Sequence, residues 1–202
     1  MRVRVWAPTH DKVTLVIEAP SKREVVLRKE PSGHHSGAVA GFHAGARYRF
    51  RLGDSTTLVA DPASRFQPEG PFGPSEVIDP STFTWTDAAW RGIPADRHVI
   101  YELHVGTFTP EGTWTAASEW LSYLADVGIT TIELMPVAAC AGHHNWGYDG
   151  VNMFAPSHHY GTPDELRRFF DRAHACGVAV ILDVVYNHFG PAGNSMLDWC
   201  PL

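Results

Sequence analysis

Along the first 60 residues apolar and polar positions alternate in short runs, at 2–7, 13–18, 24–28 and 47–52, each bounded by Pro, Gly, Ser or Asp. Period-two alternation with β-branched and aromatic residues predicts strands, and several short strands in succession predict a small all-β sandwich N-terminal domain over residues 1–60. Residues 61–98 lose the periodicity and are rich in Pro, Gly, Asp and Trp. They read as an ordered connecting segment that packs by its aromatics and contains the domain boundary.

From residue 99 the pattern switches to strand and helix in turn. A strand over 99–105 precedes a helix whose apolar positions Ala117, Trp120, Leu121 and Leu124 follow i, i+3, i+4 and i+7, with Gly128 where a C′ glycine belongs. A second strand covers 130–135. After a long loop, Thr162, Pro163 and Glu165 form an N-cap, a first-turn proline and a capping-box partner, and Leu166, Phe169, Phe170 and Ala173 share one face before Gly177. The stretch 178–184 is then almost wholly apolar, as a parallel strand covered on both faces requires.

This β-α-β-α-β order implies a right-handed parallel sheet, either open and doubly wound or part of a (β/α)8 barrel. In both, the loop 136–161 lies at the C-terminal edge of the strands, where ligands bind. No glycine-rich phosphate fingerprint follows a strand, which favours the barrel. At about 31 residues per βα unit, 99–202 holds the first three units of a (β/α)8 TIM barrel, leaving the barrel incomplete.

Composition narrows the functional classes. With 16 Lys+Arg against 22 Asp+Glu and no basic cluster, the chain suits neither nucleic acid nor an anionic membrane surface. Aromatics reach 11% with seven Trp, which fits stacking on flat sugar faces as well as large cores. The three cysteines have no CxxC spacing, and residues 1–6 alternate like a strand with no apolar signal core, so a cytoplasmic protein with neither disulfide framework nor zinc knuckle is expected.

Two clusters carry candidate chemistry. Asp183, Asn187 and His188 follow an apolar strand within six residues, at a position that is often catalytic in barrels; Asp183 reads equally well as a strand-end carboxylate bonding backbone. Trp146 and Tyr148 flank Gly147 beside Asp149 in the long loop, and the group could hold a sugar or could anchor a self-packed Ω-loop. The adjacent pairs His34-His35, His143-His144 and His158-His159 lack the spacing of a histidine metal motif, so no metal site is expected. Glu102 and Glu133 lie within strands and read as buried, hydrogen-bonded structural carboxylates.

The Asp183-Val184-Val185-Tyr186-Asn187-His188 string resembles the first conserved region of glycoside hydrolase family 13, the α-amylase family, at the end of barrel strand three. The segments 99–113, 132–137, 145–151 and 61–68 narrow the resemblance to the branch that cleaves the α-1,4 bond next to the trehalose end of maltooligosyltrehalose. Branching and debranching enzymes of the family share only parts of this set. The resemblance implies an early-set, carbohydrate-binding-module-like sandwich before the barrel, an α-glucan substrate, and no cofactor. It also implies that Tyr148 stacks on the central sugar, His188 bonds its hydroxymethyl oxygen, and Asp183 orients the pocket and a partner arginine. Asn187 is a calcium ligand in many amylases but is not expected to be one in this branch. The family's nucleophile, acid and third carboxylate follow strands four, five and seven, so no carboxylate in these 202 residues is assigned a catalytic role and the chain reads as an N-terminal fragment. Two departures stand out: Pro71-Phe72-Gly73-Pro74-Ser75, and everything after Asn194. A non-catalytic α-glucan-binding module and a branching-type glucanotransferase are the competing readings.

Overall fold

The computed structural model describes residues 1–200. Seven antiparallel strands open the chain: β1 (Arg2–Trp6), β2 (Val13–Ala19), β3 (Arg23–Lys29), β4 (His34–Ala38), β5 (Arg47–Leu52), β6 (Leu58–Val59) and β7 (Ser75–Glu76). Their order is β1-β4-β3-β2-β5-β6, with β7 also on β5. β3 pairs with β2 along 23–27, and its last residues Arg28 and Lys29 pair with β4. The expected sandwich is therefore one hydrogen-bonded sheet that curls over its own core. Val3 and Val5 from β1 bury with Leu15 and Ile17 from β2 and Phe50 from β5.

β4 escapes sequence reading because its residues are polar or small. It is held by pairing with β1 and by buried His35, whose Nε2–H donates to the His10 carbonyl at 3.1 Å. β7 is likewise unexpected, since it lies in the segment read as a connection. Further along that segment, side chains reach the second half of the chain. Thr86 donates its N–H and Oγ1–H to Asp171 at 2.7 Å each, Asp87 pairs with His174, and Trp90 stacks on the same imidazole at 4.7 Å.

The second half begins with β8 (Ile100–Leu103) and the helical turn α1 (Val105–Phe108). Two short helices follow, α2 (Trp114–Ser118) and α3 (Leu121–Asp126), where the periodicity predicts one. At the junction Glu119 and Trp120 donate N–H groups to carbonyls three residues back, a tightened turn that breaks the α-ladder. Next come β9 (Thr131–Leu134), β10 (Ala138–Ala139), β11 (Asn152–Pro156), α4 (Pro163–Ala175), β12 (Ala179–Leu182) and α5 (Met196–Trp199). β8, β9 and β12 form a parallel sheet in the order β12-β9-β8, in register over four residues each. One face packs against the helices through Leu103, Ile132, Leu134, Trp114, Leu121 and Phe169.

The opposite face carries Glu102, Glu133 and Ile181 at one register level. Glu102 is exposed and Glu133 half-buried, so the buried, hydrogen-bonded role expected for both is not what the fold provides. No layer among the described residues covers this face. Among the described residues, no helix is long and apolar enough to cross a membrane.

Candidate functional site

Three loops leave the C-terminal ends of β8, β9 and β12. The strand β8 stops at Leu103, two residues earlier than the apolar run predicts, and this puts His104 at the sheet edge. Its Nδ1 lies 3.2 Å from Thr107 Oγ1, and its Nε2 lies 3.1 Å from the Tyr160 hydroxyl, so an Nδ1–H tautomer donates to the threonine and accepts from the phenol. Tyr160 is 4% exposed. Burial pushes its phenol up to about 12, the nearby Cys140 thiol adds to the shift, and the Asn145 side chain beside it pulls the other way. His104, Tyr160, Met135, His143, Asn145 and Trp146 enclose a cleft of about 410 Å³.

The loop after β9 is shaped by backbone contacts that only glycine permits. Gly147 has φ +90°, and a Cβ there would stand 1.9 Å from the Pro136 carbonyl oxygen. Asn145 Oδ1 accepts the Gly147 N–H at 2.7 Å, closing the turn. The adjoining Trp146 and Tyr148 are thereby turned outward, 78% and 42% exposed.

The loop after β12 is zipped to this one. His188 Nε2–H donates to the Tyr148 carbonyl at 2.8 Å, and the Gly190 N–H donates to the Gly150 carbonyl at 3.0 Å. At Gly190 a Cβ would lie 2.0 Å from the Asp149 carbonyl oxygen, so this closeness also depends on glycine. Asp183 continues the parallel ladder by donating its N–H to Leu134 O at 3.0 Å. Asp183 also lines a second, mainly apolar groove of about 140 Å³ with Pro136, Gly147, Gly150 and Tyr186.

The two sequence clusters therefore meet, but not as one pocket. His188 touches the Tyr148 backbone, Asp183 shares a groove with the glycines of the Trp146 loop, and Trp146 itself faces the larger cleft. Asp149 and Asn187 are exposed and line neither cavity. His104 and Tyr160 were not singled out by sequence reasoning. The usable signal was the first polar residue after the β8 run and an aromatic just before the Gly-Thr-Pro helix start. Among the described residues, no group of three or more His, Cys, Asp or Glu side chains is placed to hold a metal ion.

Comparison with known proteins gives concordant matches. The family described as alpha amylase, catalytic domain, matches residues 50–196. The malto-oligosyltrehalose trehalohydrolase of Deinococcus radiodurans is 52% identical over 157 residues, covering 78% of this chain and 26% of that protein. The enzyme of the same name from Rhizobium sp. (strain M-11) is 45% identical over 205 residues, covering 99% of this chain and 34% of its own length. The crystal structure of a Salmonella typhimurium protein described as an alpha amylase superposes with a TM-score of 0.92 at 46% identity, covering 98% of this chain and 33% of that one. The chain thus spans about a third of the length of the relatives it matches most fully.

Proposed function

From the premise that this chain belongs to the α-amylase family, we propose that it serves the hydrolysis of the α-1,4-glucosidic bond next to the trehalose unit of maltooligosyltrehalose, releasing trehalose. The observation that carries this reading is the zipping of the Tyr148 loop to the His188 loop at the C-terminal edge of three parallel strands. That edge is where barrel enzymes build their sites. The 42–52% identities to trehalohydrolases supply the substrate class.

On this reading the outward ring of Tyr148 stacks on a pyranose face. His188 keeps its Nε2 proton on the Tyr148 carbonyl, which leaves Nδ1 to accept a sugar hydroxyl proton. Asp183 orients the groove beneath, and Trp146 and Asp149 extend the sugar contacts. Bond cleavage with retention uses a nucleophile and an acid/base carboxylate roughly 5–5.5 Å apart. We assign neither role to any carboxylate of this chain, and we expect the 202 residues alone to bind α-glucan without turning it over. The same reading divides the chain into a β unit over 1–60, a connection over 61–98 that lends it β7, and the start of a (β/α)8 catalytic domain over 99–202. The spacing of Cys140, Cys176 and Cys200, with no CxxC pattern, is the support for placing the chain in a reducing, cytoplasmic setting.

The test is a graft. Residues 1–190 replace their counterpart in the Rhizobium trehalohydrolase, and trehalose release from maltooligosyltrehalose is measured. Activity within about tenfold of the parent is expected. Formation of new α-1,6 branches in place of trehalose release would favour the transferase reading, and glucan binding without turnover in a folded graft would favour a binding module.

A further inference from the structure

Two of the adjacent histidine pairs meet in space, with one member of each facing the other nitrogen to nitrogen. His143 Nδ1 and His159 Nδ1 lie 3.2 Å apart across sixteen residues of chain. His144 and His158 flank them, with ring centroids 5.0 Å from His143 and 4.0 Å from His159.

The protons on the central pair can be placed. His159 Nε2 lies 3.1 Å from the Gly142 carbonyl, which only accepts, so Nε2 carries the hydrogen and Nδ1 of the neutral ring presents a lone pair. His143 Nδ1–H must then donate into that lone pair. A divalent ion can sit between the two nitrogens once the His143 proton moves through solvent from Nδ1 to Nε2, which leaves both Nδ1 lone pairs free and both rings neutral. With metal–nitrogen bonds of about 2.0–2.1 Å, two neighbouring ligand nitrogens stand about 2.9 Å apart in octahedral and about 3.4 Å apart in tetrahedral geometry. The observed 3.2 Å falls between them.

A further feature suits a metal. The Gly142 carbonyl on His159 Nε2–H is the kind of outer-shell partner that fixes the tautomer and orientation of a ligating imidazole.

We propose that His143 and His159 form a binding site for a borderline-soft divalent cation of the Zn²⁺, Ni²⁺ or Cu²⁺ class, completed by the exposed His144 and solvent. The pair is in place, and the third donor is recruited by rotation of a surface side chain. Imidazole nitrogens without carboxylates select this class over Mg²⁺ or Ca²⁺. The bound ion would tie the 142–144 loop to the turn that carries Tyr160, stiffening one wall of the 410 Å³ cleft.

Calorimetric titration of the full 202-residue chain with Zn²⁺ tests this, with Mg²⁺ as the hard-cation control. One saturable Zn²⁺ site and no Mg²⁺ heat are expected. His143→Ala and His159→Ala should each weaken Zn²⁺ at least tenfold, while His34→Ala, on β4 in the β unit, should leave it unchanged. Absence of a Zn²⁺ site, or equal affinity in the His143 and His159 variants, would overturn the proposal. Should either variant misfold by circular dichroism, the milder His143→Gln and His159→Gln decide instead: loss of tight Zn²⁺ binding in both supports the site, and retained binding refutes it.

Discussion

At the residue scale, the loop holding Trp146 and Tyr148 separates groups that shape the site from groups that would meet a ligand. Gly147 belongs to the first kind. Its left-handed φ and the 1.9 Å that a Cβ would leave to the Pro136 oxygen mean that Gly147→Ala must move the backbone. A loss of at least about 2 kcal/mol in unfolding free energy is expected by denaturant titration. Tyr148 belongs to the second kind, because its fold contact is made by its carbonyl while its ring is turned to solvent. In the active graft, Tyr148→Ala should lower kcat/KM by about 1–3 kcal/mol, roughly 5- to 150-fold, with little change in Tm. Unchanged kinetics would make the ring a packing feature only. The Asn-Trp-Gly-Tyr-Asp-Gly string was legible as a candidate because two aromatics beside a glycine are conspicuous in any sequence. That His188 spends one nitrogen on the Tyr148 backbone was not legible, since it depends on how two loops forty residues apart meet in space.

At the scale of elements, the start of α4 shows local sequence and structure in full agreement. Thr162 Oγ1 accepts the Glu165 N–H, and the Glu165 carboxylate accepts the Thr162 N–H at 2.7 Å, the reciprocal bonds that the Thr-Pro-Asp-Glu spacing predicts. Thr162→Ala should cost about 1 kcal/mol of stability at pH 7. The Thr162 backbone bond, ahead of the two hydroxyls around it, holds the Glu165 carboxyl below its ordinary value of 4.5. A depressed carboxyl contributes stability that is fully present above that ordinary value and is lost as pH falls through the lowered folded value. Because Thr162→Ala removes the hydroxyl that donates to the Glu165 carboxylate at 2.8 Å, its penalty should shrink in thermal melts taken well below pH 4; a penalty constant from pH 7 to pH 2 would show that this hydroxyl bond does not contribute to the cap. Elsewhere local signals were incomplete. The period that predicts one helix across 117–124 cannot register the tightened turn at Glu119 and Trp120, because the apolar face stays in phase through it. β4 and β7 are invisible for the opposite reason, being made by partners distant in sequence and not by their own composition.

For the whole molecule, the two cores differ in how completely they are closed. The curled sheet surrounds its interior, and its closure includes a residue from the far end of the chain: Trp199, 2% exposed, packs edge-on against Phe50 at 5.2 Å, while His10 Nε2–H donates to the Asp198 carbonyl at 2.7 Å. Trp199→Ala should destabilise the β unit by about 3 kcal/mol, read from its own melting transition. The parallel sheet is covered by helices on one face, and its other face and outer strands leave Ile100, Tyr101, Ile181, Leu182 and Val184 exposed. Unpaired strand edges bearing apolar side chains recruit other strands, and parallel strands are ordinarily covered on both faces. Limited proteolysis of the full chain with mass spectrometry should therefore cut first within 99–190 and leave a protected fragment containing residues 1–77, with the chain associating at micromolar concentration. The anchored Trp199 adds a sharper expectation: the peptide around 196–200 should stay bound to that fragment after the intervening chain is cleaved. Were the whole chain instead a protease-resistant monomer with a single cooperative melt, the parallel half would be stable as it stands, and an open three-stranded module would replace the incomplete barrel as the description of residues 99–202.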